Sequence, residues 1–146
     1  MMQSVSVYLR EGKYFIVTIH GSGGSEPCIE SGPVAELPGS ASTQELGSAV
    51  LRGLDASTDN VPWPKDFKKV TEPLLAAAQA KTWAAFAKRA VSLRIDRDGT
   101  RYLMLPSNRT PKGSFDAAPE RNRDLEGVAA EALGSEIATE LSAHSK

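Results

Sequence analysis

The stretch IHGSGGSEPC, Ile19 to Cys28, gathers side chains that could do chemistry. It holds one of the two histidines, the single cysteine, Ser22, Ser25 and three glycines. A histidine next to a serine or cysteine is the start of a nucleophile–base pair, but such a pair needs a third group to orient the base. No acid is placed for that role here. A phosphate cradle would need its N–H groups at a strand-to-helix junction, in a GxGxxG or GxxxxGK[ST] pattern. HGSGGSEPC matches neither, and no helical pattern follows it. A GxSxG nucleophile elbow occurs nowhere in the chain. His20, Cys28 and His144 lack the spacing of metal ligands, and the carboxylates Asp96 and Asp98 read as turn chemistry. The stretch therefore reads as a loop between strands, in a chain with no catalytic set, no cofactor motif and no metal site.

The elements around it follow from periodicity. VSVYLR and KYFIVTI flank Glu11-Gly12 as a β-hairpin, with Arg10 facing Lys13 and Tyr8 facing Phe15. Val5, Val7, Leu9, Tyr14 and Ile16 then share a core face. Tyr8, Phe15, Val17 and Ile19 enrich the other face, which predicts a sheet covered on both sides. CIESGPVAELP offers a further short strand that Pro33 limits. Ser42 and Glu45 form a capping box ahead of a helix with Leu46, Val50 and Leu54 at four-residue spacing. Gly47 and Gly53 weaken that helix and point to close packing on the sheet. Asp55 to Pro64 reads as a loop. Thr71-Glu72-Pro73 is expected to open a second, alanine-rich helix that runs through Trp83 to Ala90. Asp98-Gly99 marks a second hairpin; pairing Arg97 with Thr100 sets Ile95 against Tyr102 and Asp96 against Arg101. After a polar loop with a brief strand at Ser114–Phe115, a last helix is expected from about Asp124, with Leu125, Val128, Ala132, Leu133, Ile137 and Leu141 as its apolar stripe. The expected fold is α+β (mixed α/β): one domain over residues 1–146, frayed at its end, with antiparallel hairpins forming a sheet packed against about three helices.

A chain of 146 residues with 40% hydrophobic and 24% charged residues has the composition of a globular domain. It buries roughly 68–70% of its unfolded surface without metal or disulfide staples. A lone cysteine and an N-terminus without a basic-then-apolar leader predict a reducing, cytoplasmic setting, and no apolar run suggests a membrane span. The net charge of −1 conceals segregation. Residues 26–59 carry Glu26, Glu30, Glu36, Glu45, Asp55 and Asp59 against Arg52 alone. Residues 60–112 are strongly basic, and residues 113–146 are acidic again. Such asymmetry can steer a charged partner. KDFKK (65–69) and RTPK (109–112) interleave charge with aromatics, but a pI near 6.1 and acidic flanks argue against direct nucleic-acid binding.

Two stretches carry a family resemblance. ELGSAVLRGLDAS, Glu45 to Ser57, resembles the LG-x-A-[VL]-x-x-[AG]-L-x-x-S helix of immunity proteins of bacterial contact-dependent growth inhibition systems. TWAAFAKRAVSLRIDRDGTRYLMLPSNRTPKGSF, Thr82 to Phe115, is similar to the later pattern of that family: W-x-x-F/L-x-K, a strand pair, a proline ending the second strand, then a glycine and an aromatic. With the N-terminal hairpin the likeness spans roughly residues 5–116. It implies a non-enzymatic protein of the cytoplasm. Such a protein binds the C-terminal toxin domain of a large exoprotein, commonly a nuclease and often one that cuts transfer RNA, and blocks its active site or substrate groove.

That implication gives the acidic segments a role. A nuclease presents a positive groove to phosphates, and an inhibitor covering it should present carboxylates. Glu30, Glu36, Asp55 and Asp59, with Trp63 as an aromatic anchor, form one candidate contact; Asp116, Glu120 and Asp124 form the second. These choices rest on charge and loop placement and not on the family, whose toxin-facing surfaces vary. A toxin without a basic groove would instead meet Lys65, Lys68 and Lys69. The alternative from a different class is a small adaptor or ligand-binding α+β domain with no toxin partner, which would show a concave apolar pocket.

Overall fold

Alternating apolar residues in Gln3–Arg10 (β1) and Lys13–Ile19 (β2) pair antiparallel across Glu11-Gly12, in a register that sets Arg10 opposite Lys13 and Tyr8 opposite Phe15. Both turn residues take positive φ, 50° and 76°, as a two-residue hairpin of this kind demands. The computed structural model describes residues 2–21, 29–30, 32–58, 67–110 and 115–144, with the backbone alone of Phe67 and Lys68. In it the hairpin sits in an open seven-stranded antiparallel sheet, with Val34–Pro38 (β3) beside β2 and Ala90–Asp98 (β4) beside β1. Arg101–Arg109 (β5) follows β4, and two short strands share the outer side of β5: Phe115–Ala117 (β6) along residues 107–109 and Arg123–Glu126 (β7) along residues 101–104.

Helices cover both faces. Thr43–Ala56 (α1) starts at a complete capping box, with Ser42 Oγ accepting from the Glu45 amide and Glu45 accepting from the Ser42 amide, each at 3.1 Å. Leu46, Val50 and Leu54 are buried against Val5, Val7, Tyr14, Ile16, Leu93, Ile95 and Met104. Ala130–Ala143 (α4) completes that layer through Leu133, Ile137 and Leu141. Gly53 packs on the sheet, but Gly47 packs on α4: a Cβ at Gly47 would run into the Ala130 carbonyl, and one at Gly134 into the Thr43 carbonyl. On the opposite face, Phe67–Ala78 (α2) and Trp83–Lys88 (α3) close over Tyr8, Phe15 and Val17.

Four expectations are corrected. The second helix does not open at Thr71; it begins at Phe67 and carries Pro73 inside. Val70, Leu74 and Ala78 keep one face inward across that proline. The alanine-rich run is two helices. α2 ends in a Schellman motif, with Ala80 N–H bonding Leu75 O, Gln79 N–H bonding Ala76 O and Gln79 at φ 57°. Thr82 then caps α3 by accepting from the Ala85 amide. The β4–β5 loop is Gly99-Thr100 with Gly99 at φ 63°, so Asp98, not Arg97, ends the strand and faces Arg101. Ile95 faces Met104, and Asp96 faces Leu103. The shift is two residues, one full pleat period, so Leu93, Ile95, Tyr102 and Met104 keep the core face. Finally, Asp124 does not start a helix: it lies on β7, and the chain turns at Gly127 (φ 61°), whose amide bonds Thr100 O, before α4 begins at Ala130.

Candidate functional site

Glu30 follows the short bridge between His20 and Ile29 and turns to the sheet face under α2 and α3. Tyr8, 2% exposed, donates its phenol proton to Glu30 Oε1 at 2.6 Å. The Tyr8 ring stands edge-on to Phe86 (5.1 Å) and Trp83 (6.1 Å) and tilted to Phe115 (5.9 Å). Burial pushes the Glu30 carboxyl up from its usual range, against the opposing pull of Tyr8, Ser6 and more distant Arg94. Burial, with the Glu30 charge beside it, holds the Tyr8 phenol well above its ordinary value. Glu30, Thr71, Leu74 and Trp83 line a cavity of about 240 Å³.

The other acids of the first group are elsewhere. Glu36, on β3, pairs with Lys13 at 3.1 Å on the surface. Asp55, in the last turn of α1 on the opposite face from Glu30, pairs with Arg97 at 2.7 Å; Arg97 also holds Gln3. Asp59 and Trp63 lie outside the described residues. Thus the structure does not bring Glu30, Glu36 and Asp55 together.

The second group sits on the far edge, about 24 Å away from β3 at five strand spacings. Asp124 on β7 is bound by Arg101 Nε and Nη2 at 2.8 and 2.6 Å, and this bond lowers its pKa. Asp116 on β6 and Glu120 in the 3-10 turn Pro119–Arg121 are exposed and make no ion pair among the described residues. Neighbouring Arg121 reaches Glu140 at 3.3 Å, and Arg123 contacts Glu136, so both arginines are spent tying this edge to α4. On β6 the Phe115 ring lies 6.2 Å from Trp83. Asp116 follows Phe115 and so points to the opposite face of the sheet, where Asn108 across the ladder is bound by Arg121, itself beside Glu140 of α4. The structure therefore does not join Glu30 to Asp116 or Glu120. Of the basic alternative, Lys69 is exposed on α2; Lys65 and the Lys68 side chain lie outside the described residues.

His20 has a structural setting. Its Nδ1 accepts the Thr58 amide at 3.1 Å, which leaves Nε2 protonated and donating to the Gly32 carbonyl at 2.6 Å. It joins the end of β2 to the chain leaving α1. Ser22, Ser25 and Cys28 lie outside the described residues.

Two polar centres escape sequence reasoning. Arg10, 8% exposed, donates from Nε to the Phe86 carbonyl at 3.2 Å and from Nη1 to the Ala78 carbonyl at 3.0 Å, with its guanidinium 5.5 Å from the Phe86 ring centre. It pins the ends of both α2 and α3 to the sheet. Asp96, 7% exposed, accepts from Ser4 Oγ at 2.7 Å and Arg94 Nε at 2.8 Å. The only sequence signal for either is a charge at an inward-facing strand position. Among the described residues, no three His, Cys, Asp or Glu side chains gather as a metal site, and no helix is long and apolar enough to cross a membrane.

No protein-family model matches the sequence, and no curated protein does. Solved structures do. A Neisseria meningitidis protein of unknown function superposes with a TM-score of 0.78 at 22% identity, over 98% of this chain and 95% of that one. A chain of the CdiA-CT/CdiI toxin and immunity complex of Yersinia pseudotuberculosis superposes with a TM-score of 0.76 at 15% identity, over 100% of this chain and 98% of that one. From end to end, the fold of this protein is thus one found in a toxin and immunity complex of contact-dependent growth inhibition.

Proposed function

We propose that this protein is an immunity protein that binds the toxin domain of a contact-dependent growth inhibition exoprotein and neutralises it by occluding its active site or substrate groove. The observation that carries the reading is the end-to-end likeness of fold to a chain of the CdiA-CT/CdiI complex. The motifs at Glu45–Ser57 and Thr82–Phe115 support it from the sequence side. In this reading the protein acts by binding, without turnover, in the cytoplasm of the cell it protects.

The toxin is a nuclease in this account, transfer RNA being the substrate we favour. Its phosphate-binding groove would be basic, and the exposed acids Asp116 and Glu120 offer the complementary charge. Asp124, Glu36 and Asp55 are already held by this chain's own cations and are secondary contacts at most. The test is complex formation. The last few hundred codons of the reading frame immediately upstream are expressed as the toxin candidate and mixed with this protein on a sizing column. Co-elution in a fixed ratio is the expected result; separate elution at micromolar concentrations overturns the reading.

A further inference from the structure

The cavity beside Glu30 has a chemistry that the fold does not require. Among the described residues its lining is Trp83, Leu74, Thr71 and Glu30, so a carboxylate stands beside an indole, an aliphatic side chain and a hydroxyl. Tyr8 donates its neutral hydroxyl to that carboxylate, and the Ser6 side chain also favours its charged form. No lysine or arginine among the described residues forms an ion pair with it: Arg94, the nearest cationic influence, gives its Nε to Asp96 at 2.8 Å. A largely buried carboxylate with no ion-pair partner among the described residues costs stability, and one kept at a cavity marks a candidate binding site.

Charge complementarity identifies the occupant as cationic, and the walls narrow it further. A guanidinium can stack on an indole face while its edge pairs with a carboxylate, and it sheds water more readily than an ammonium. At about 240 Å³ the cavity falls below the usual 300–1,000 Å³ of small-molecule sites, which suits one inserted side chain. Its Trp83 wall packs in turn on Phe115 of β6. We infer that the cavity receives an arginine side chain of the toxin domain, its guanidinium stacked on Trp83 and paired with the Glu30 carboxylate. This rests on the immunity reading and names its central contact.

The test has two arms. In the first, the affinity of the toxin domain is measured for the wild-type protein and for Glu30→Gln, which keeps shape and removes charge. A loss of roughly 30-fold or more is expected, with a thermal midpoint no lower than that of the wild type. Wild-type binding with less than a threefold change in Glu30→Gln overturns the inference and leaves the immunity reading standing. In the second arm, argininamide is titrated into the free protein while the Trp83 indole N–H signal is followed by NMR. A saturable shift that Glu30→Gln abolishes is expected. A flat titration in the wild type overturns the guanidinium pocket whatever the toxin does. Absence of any toxin complex with the wild type defeats the immunity reading, and the committed occupant with it, even where argininamide binds.

Discussion

Glu30 and His20 are neighbours in fold and opposites in chemistry. Both looked functional or reactive in the sequence, and the structure separates them by what each side chain touches. Burial raises the Glu30 pKa above its unfolded value, so the folded chain holds that proton more tightly. The stabilisation from the protonated form is complete below the ordinary glutamate range and is lost as pH rises through the folded-state value. Glu30→Gln should therefore raise the urea midpoint at pH 7, with the gain shrinking as pH falls toward 4. A midpoint lowered at pH 7 would contradict this. His20, in contrast, satisfies the Gly32 carbonyl and the Thr58 amide, and its removal strands both. His20→Ala is expected to cost about 1–3 kcal/mol in denaturant unfolding and to leave toxin affinity per folded molecule unchanged. A tenfold loss of that affinity would return HGSGGSEPC to consideration as a binding element. The sequence could not separate the two cases, because solvent exposure and hydrogen-bond partners are set by residues far along the chain.

At the scale of elements, the critical contact is the crossing of α1 and α4. Gly47 and Gly134 let the two backbones approach until a carbonyl of one helix occupies the place of a side chain on the other. Gly134→Ala is expected to destabilise the fold by about 3 kcal/mol, read as a shift of the denaturation midpoint. A change under 0.5 kcal/mol would mean that the helices can part without consequence. This crossing was half legible. Glycines that survive in an amphipathic helix announced close packing, and Gly53 does meet the sheet, but nothing local said that Gly47 would meet another helix. The same division runs through the other elements. The first hairpin, the second in all but its turn and register, the capping box and the two-sided sheet were readable because each has a short-range cause: turn residues, a cap pair, a period of two. The break at Gln79 was hidden because a glutamine fills the left-handed position usually given to glycine. β7 was hidden because Arg123–Glu126 is a strand only by pairing with β5, where Arg101 holds Asp124 and Thr100 holds Glu126. Its residues, taken alone, continue the apolar stripe of the helix that follows.

Over the whole molecule, segregated charge becomes geography. Of the acids that cluster between residues 26 and 59, Glu36, Asp55 and Glu30 are dispersed to an edge strand, a helix end and a cavity wall, the first two already paired with Lys13 and Arg97. Asp116 on β6 and Glu120 in the turn that follows are exposed and make no ion pair among the described residues, while the other face of β6 sets Phe115 against Trp83 beside the Glu30 cavity. Reversing both, as D116K with E120K, should slow association with a basic toxin domain by about tenfold at low salt, with the difference fading as ionic strength rises. Stopped-flow mixing across a salt series reads this directly, and a salt-independent rate equal to that of the wild type would remove electrostatics from the account. The central claim is neutralisation, and growth measures it most directly. Cells induced for the toxin domain encoded upstream are followed with and without this protein. The account predicts arrest without it and growth with it, the rescue reduced by Glu30→Gln. Arrest that continues undiminished in the presence of the folded wild-type protein would contradict it.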